Sequence, residues 1–322
     1  MSKTSPFPIH LWIYNHPFYG ISDQVEFFSM NFRQHGYGVT VGRQPRREAL
    51  NVVIENFDDM SREVLQSFCH ATDKRVVVIL TEHLDFLGEQ LHIHGDPLWR
   101  DNDYMLPATQ VARIRNLIEC LHCIRGFLVL GDLPRLQNLD QVFPGVDMRW
   151  LPFPELESQH IKREPENINN DLSFSGFITE YRTSVLELLR GLGFGVVCPY
   201  KFISRHRRDI LNRTSKIVLN IPQRKGWQWL SLMRIIAALR CGRATVSLET
   251  QDTSEIAACT HQLLISTPDW EDRLKDYTNN WRDYFEKALM DYHEMSHKFA
   301  DRYPFPHDMI EFWAVTDRLA KV

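Results

Sequence analysis

Between Lys201 and Arg243 the chain carries eleven Lys and Arg residues and a single carboxylate, Asp209. The remaining residues comprise 26 bases and 40 acids, so a segment of net charge +10 sits inside a chain otherwise at −14. Such a sign reversal predicts an anionic partner, because self-repulsion among the cations must be offset by something. The cations are not on a bare tail. Lys216-Ile-Val-Leu-Asn-Ile221 reads as a strand, and Trp229 to Arg240 reads as a helix with Gly242 as a left-handed C-cap. The first turn of that helix would offer backbone N–H groups to an anion, assisted by Arg224, Lys225 and Ser231. A shaped phosphate pocket is the chemistry this arrangement suits; a solvated basic helix face is the alternative.

Two other patterns resemble metal sites. Cys120-Leu-His-Cys123 has CxxC spacing but no second pair, and it falls in a helix predicted from Thr109 to Ile124, so it reads as packing. His92-Ile-His94 has strand-like alternation without a third ligand and reads as a surface loop. An apolar fraction of 43% and a charged fraction of 24% are those of a globular chain. No apolar run approaches the roughly 18 residues that span a bilayer, and the start, Met-Ser-Lys-Thr-Ser-Pro, lacks a signal-type apolar stretch. Six cysteines, mostly in apolar segments, fit reduced thiols and a cytoplasmic setting.

The elements that must position these groups alternate. Strands are predicted at Ile9–Tyr14, Tyr37–Val41, Asn51–Glu55, Arg75–Leu80 and Gly126–Leu130. One helix, capped by Ser22 or Asp23, is predicted to bury Val25, Phe28 and Phe32; another carries Met60, Val64 and Phe68 on one face. Leu151-Pro-Phe-Pro154 and the polar stretch to Asn170 read as a linker. Alternation then restarts, with strands at Leu172–Phe177, Gly195–Cys198, Ile217–Ile221, Arg243–Leu248 and His261–Ser266, and a helical end from Trp270. Near-continuous apolar strands separated by helices predict parallel sheets covered on both faces. The expected fold is α/β, two doubly wound Rossmann-like domains facing a cleft, at residues 1–152 and 153–322.

The segment from Trp229 to Glu249 resembles the nucleotide-sugar segment of GT-B glycosyltransferases, and looks closest to their group-1-like, CgeB-type branch. Ser231, Arg234, Ala238, Leu239, Cys241, Gly242 and Val246 match the pattern, while Ala237 stands where the family carries Glu. Glu249, at the end of the next strand, is a candidate substitute. Leu172-Ser-Phe-Ser-Gly-Phe-Ile-Thr-Glu-Tyr-Arg182 resembles the opening of the family's carboxyl-terminal domain, and Pro222-Gln-Arg-Lys-Gly226 its donor-facing loop. The match runs over about Leu172 to Tyr292; over the amino-terminal half it is architectural.

The resemblance implies transfer of a sugar from a nucleotide-diphosphate donor, without a bound metal or any cofactor beyond the donor. Fixed cations would stabilise the leaving diphosphate. Gly176, Arg182, Arg224, Lys225, Ser231, Arg234 and Glu249 are the expected donor residues. In an inverting transfer a base must take the acceptor's proton; His16 and Asp23, flanking the first βα turn, and Glu82, after the fourth strand, are the candidates. The carboxyl-terminal helix, Asp308 to Ala320, would cross back to the first domain. A glycan, a lipid-linked sugar, a protein or a small molecule could be the acceptor, a lipid one implying peripheral membrane contact. Trp227 and Trp229 could stack on a base or sugar ring. Two other classes stay open: a catalytically inactive binding module, and a nucleic-acid-binding protein using the 201–243 segment, against which the acidic balance of the whole chain speaks.

Overall fold

A computed structural model describes residues 7–14, 18–54, 57–80, 84–87, 90–93, 96–97, 107–130, 146–156, 161, 167–227 and 229–317. His16, Glu82 and His94 lie outside the described residues. The chain forms two compact units. Unit 1 comprises residues 1–18, 25–154 and 299–322; unit 2 comprises residues 19–24 and 155–298.

Unit 1 is built on a six-stranded parallel sheet of order β2-β1-β3-β4-β8-β9. Its strands are β1 (Ile9–Trp12), β2 (Val39–Gly42), β3 (Leu50–Ile54), β4 (Val76–Leu80), β8 (Ile124–Leu130) and β9 (Asp147–Leu151). Every residue of β4, Val-Val-Val-Ile-Leu, is buried, as an inner parallel strand covered on both faces requires. A small antiparallel sheet, β5 (Leu84–Leu87), β6 (Gln90–Ile93) and β7 (Asp96–Pro97), follows β4. His92 therefore lies on a paired strand, opposite Asp85 and Pro97, and not in the surface loop read from the sequence.

Helix α1 (Phe18–Gln34) begins before Ser22 and Asp23, so neither residue caps it. Helix α2 (Asp59–Thr72) is capped by Asp58, whose carboxylate accepts from the Ser61 amide at 2.7 Å. Its buried stripe is Leu65 and Cys69, while Met60, read from the sequence as core-facing, is 60% exposed. Helix α3 (Pro107–Glu119) stops short of the cysteine pair. Cys120 and Cys123 flank a 3-10 turn and are buried, with Cys69 Sγ at 4.0 Å from the Cys123 carbonyl, which agrees with packing.

Unit 2 carries a five-stranded parallel sheet of order β11-β10-β12-β13-β14. Its strands are β10 (Asn170–Ser173), β11 (Val196–Val197), β12 (Ser215–Asn220), β13 (Thr245–Leu248) and β14 (His261–Leu263). The helices are α4 (Glu180–Gly191), α5 (Arg205–Arg213), α6 (Leu232–Arg240), α7 (Trp270–Asn279) and α8 (Trp281–Arg302), whose last turn belongs to unit 1. Thr179 and Ser204 cap α4 and α5 with their hydroxyls, and Gly242 takes φ +72° just past α6. Strand order reverses between β10 and β12, the place where ligands collect in open parallel sheets, beyond the carboxyl ends of the strands.

The end of the chain packs into unit 1. Helix α9 (His307–Val315) buries Trp313 completely against Gly126 of β8. A Cβ at position 126 would fall inside the indole, so only glycine permits this approach. The Arg75 guanidinium donates to the Thr316 carbonyl at 2.9 Å, and Lys74 pairs with Asp317 at 2.9 Å. Pro152 and Phe153, read as linker, are buried: the Asn31 amide donates to the Pro152 carbonyl, and the Phe153 ring meets Phe299 edge-on at 5.0 Å.

Candidate functional site

In unit 2, beyond the carboxyl ends of β10 and β11, lies a cavity of about 110 Å³. Ser175 and Gly176 close one wall, Lys201 and Phe202 another, and Arg208 and Asn212 of α5 a third. Ser231, Arg234 and Ala237 of α6 complete it, with Gly20, Asp23 and Gln24 from the first turns of α1.

Arg234 is held from behind. Its Nη1 donates to Asn220 Oδ1 at 2.7 Å and its Nη2 to the Ser175 carbonyl at 3.0 Å, and the guanidinium lies 4.9 Å above the Phe174 ring. Asn220 in turn donates to Ser247 Oγ at 3.2 Å, which bonds Thr260 Oγ1 at 3.0 Å, which is tied to Thr245. A row of buried hydrogen bonds thus fixes the guanidinium from the core outward. Burial lowers the Arg234 pKa to about 10, against the pull of Asp23; it remains a cation at neutral pH. Gly176 sits at φ +153°, and a Cβ there would come within 3.0 Å of Arg234 Nη2. The glycine therefore serves both the turn and the seating of the arginine.

The loop before α6 is anchored as well. Asp252 accepts from the Leu230 amide at 2.7 Å and from the Ser254 amide at 2.7 Å. Ser231 stands at the N-cap of α6, makes no side-chain capping bond, and lines the cavity. The leading amides of α6 add a fixed positive dipole end there.

Arg208 is the second cation. Its Nη2 donates to Asp23 Oδ1 at 2.5 Å and to Ser22 Oγ at 3.0 Å. Its Nε is buried with no hydrogen-bond partner among the described residues. The two side chains of the pair are only 12% and 18% exposed, so the ion pair is shielded from water. Burial pushes the Asp23 carboxyl above the usual range, and Arg208 opposes the shift without cancelling it.

The sequence expectations divide accordingly. Gly176, Ser231, Arg234 and Asp23 meet at one cavity; Lys201, Arg208 and Asn212 join them unannounced. Arg182 does not line the cavity. It is buried, its Nε and Nη2 both donate to the Ile221 carbonyl at 3.0 and 2.6 Å, and its Nη1 donates to the Phe177 carbonyl at 2.7 Å. These bonds hold the turns after β10 and β12 together. Arg224 and Lys225 lie on the loop before α6, away from the cavity lining. Glu249 is a turn residue at φ +59°, its carboxylate accepting from the Ile265 amide at 2.5 Å, and it is not among the residues lining this cavity. Trp227 is buried in packing.

The eleven cations also do not form one basic surface. Arg243 is fully buried among the carbonyls of Ser215, Gly242 and Arg213, over the Trp281 ring at 4.3 Å. Lys216 is paired with Asp171 at 2.7 Å. Part of the charge run is thus structural.

Among the described residues no helix is long and apolar enough to cross a membrane. No protein-family model and no curated protein matches the sequence. Among solved structures, an α1,3-fucosyltransferase aligns at 10% identity over 90% of this chain and 83% of its own, with a TM-score of 0.43. A sucrose-phosphate synthase from Thermosynechococcus elongatus aligns at 8% identity over 98% and 81%, with a TM-score of 0.48. A DNA-modifying β-glucosyltransferase, solved in the presence and absence of uridine diphosphoglucose, aligns at 10% identity over 96% of this chain and 100% of its own, with a TM-score of 0.53. That last likeness is one of fold: this chain is an α/β protein with two parallel-sheet units, built on the architecture of the GT-B glycosyltransferases.

Proposed function

We propose that the chain is a glycosyltransferase that moves a sugar from a nucleotide-diphosphate donor to an acceptor, with the donor's diphosphate seated in the unit 2 cavity. The supporting observation is the meeting of Arg234, Arg208, Lys201 and the N-terminus of α6 on one cavity at the strand-order reversal. A volume of about 110 Å³ is well below the roughly 300–1,000 Å³ that encloses a whole drug-sized ligand. It suits the diphosphate portion, with nucleoside and sugar extending beyond it.

In the transfer, an acceptor hydroxyl oxygen bonds to the anomeric carbon while the bond from that carbon to the diphosphate oxygen breaks. The electron pair leaves with the diphosphate, and the guanidinium groups, Lys201 and the α6 amides stabilise the charge that develops. This protein charge fills the role expected in the metal-independent transfer of the resembled family. Asp23 is the base of this reading: it is the one of the three sequence candidates among the described residues, and it lies at the cavity. The order Ser231, Arg234, Cys241, Gly242 supports a place near the group-1-like, CgeB-type branch.

A catalytically inactive nucleotide-sugar-binding module is the second reading, favoured by Ala237, whose methyl lines the cavity where the family pattern carries Glu. A panel of nucleoside diphosphates and their sugars, screened by thermal shift and then by turnover, tests both. A ligand at 100 times its Kd stabilises by about 2.7 kcal/mol, an easily read shift. Binding with turnover supports the transferase, binding without turnover or hydrolysis supports the module, and no shift with any member of the panel overturns both.

A further inference from the structure

We infer that Arg208 changes partners during the reaction: it is held by Asp23 in the empty site, passes to the donor's diphosphate on binding, and so releases the Asp23 carboxylate to accept the acceptor's proton. This rests on the diphosphate reading above and adds a role for a residue no motif marked.

Three observations carry it. Arg208 and Asp23 line the same cavity and are paired at 2.5 Å. Arg208 keeps a buried Nε–H without a hydrogen-bond partner among the described residues, so the guanidinium is underused where it stands. A fork-shaped cation with a spare donor is suited to a phosphate oxygen pair. Third, the carboxylate is itself an anion in a cavity that must accept another anion. Bound diphosphate would therefore raise the basicity of Asp23 in the same direction as burial does, so the ionised carboxylate that Arg208 leaves is a stronger base for the acceptor's proton.

The groups facing Asp23 set the balance. Arg208 and Asp209 lie on α5, Arg234 and Arg240 on α6, and Lys201 on the adjoining loop. Arg208 is the nearest of the cations, bonded directly, and Asp209 acts in the same direction as burial. When Arg208 turns to the leaving group, it follows the negative charge: the anomeric carbon–oxygen bond breaks toward the diphosphate, and the hydroxyl proton moves to Asp23. One cation thereby serves the carboxylate before transfer and the leaving group during it.

The test uses the full chain and inorganic pyrophosphate, with Asp23→Asn and Arg208→Lys compared with the parent protein. Asn keeps the shape of Asp and can still accept from Arg208, so circular dichroism should report an unchanged fold. Asp23→Asn should bind pyrophosphate about 10-fold tighter at pH 7.5, since a competing anion is gone. With a sugar donor, the same variant should lose kcat at least about 100-fold, as expected for a lost general base. Tighter anion binding together with lost turnover is a combination that a purely structural role would not produce. Arg208→Lys should bind pyrophosphate at least about 10-fold more weakly, having lost the two-pronged contact.

Equal or weaker pyrophosphate binding by Asp23→Asn overturns the exchange. If pyrophosphate binds and depends on Arg234 but not on Asp23 or Arg208, the exchange fails while the diphosphate site stands. If neither the parent nor Asp23→Asn binds pyrophosphate, both fail.

Discussion

Arg182 and Arg234 have the same side chain and, from sequence, the same expected role, so replacing each by Met separates a scaffold from a site. Arg182 spends three donors on two buried carbonyls, at 3.0 and 2.6 Å to Ile221 and 2.7 Å to Phe177. Hydrogen bonds to a charged donor contribute about 1.5–3 kcal/mol each, and orphaned buried acceptors cost about 1–3 kcal/mol each. Arg182→Met should therefore lower stability by about 3–5 kcal/mol, or roughly 6–20 °C in the melting temperature of unit 2 at about 2–4 °C per kcal/mol. Arg234→Met loses two such bonds, to Asn220 and Ser175. Its stability cost should be smaller, about 2–3 kcal/mol, because water in the cavity can solvate the freed acceptors. Its loss in nucleoside diphosphate affinity should be larger, about 30-fold or more, since one charge-assisted phosphate contact exceeds about 2 kcal/mol. Differential scanning calorimetry without ligand gives the first quantity, and titration with a nucleoside diphosphate well below the melting temperature gives the second. An Arg182→Met protein with parental stability, or an Arg234→Met protein with parental affinity, would refute the division of labour drawn from these distances.

Other perturbations probe the frame. Gly126→Ala drives a methyl into the Trp313 indole and should cost about 1–3 kcal/mol or more through overpacking, with increased proteolysis at the chain end as a second readout. Arg243→Leu leaves the carbonyls of Ser215 and Gly242 unpaired in the core and should cost about 3 kcal/mol, measured by urea denaturation; an unchanged midpoint would mean those carbonyls find other donors. His10 is buried, bonded through Nδ1 to Thr40 and through Nε2 to the Gln44 carbonyl, and burial lowers its pKa. Below the ordinary histidine value the unfolded chain takes up a proton that folded unit 1 resists, so stability should fall as pH drops below about 6.5. His10→Gln should flatten that part of the pH profile.

The buried strands were legible because a parallel strand covered on both faces is an apolar run, and Val76 to Leu80 is one. Strand β9, Asp-Met-Arg-Trp-Leu, went unread: it is a half-exposed edge strand with charged residues at its start. The helix at Phe18 was placed too late, since Ser22 and Asp23 have cap-like chemistry, whereas tertiary pairing with Arg208 is what engages the aspartate. In the site, Ser231, Arg234 and Gly176 stood out because a helix start and a positive-φ glycine leave local signatures. Arg208 left none. Its partner lies 185 positions away, and nothing within α5 distinguishes it from its basic neighbours. Arg182 and Glu249 were read as ligand-facing because residue type shows what a group can bond, not whether the backbone has already engaged it.

The burial of Trp313 against β8 has a consequence for biosynthesis. Unit 1 begins with the first strand and is completed by residues 299–322, so 144 residues of unit 2, Glu155 to Lys298, are made in between. At about 5–20 residues per second the ribosome leaves the Gly126 face of the first sheet uncovered for roughly 7–30 s. During that interval an apolar groove shaped for an indole is open to any passing hydrophobic segment. The nascent chain should need a chaperone most while its second unit is being translated, and a stop codon just before Phe299 should yield aggregate, with no shorter folded protein recovered.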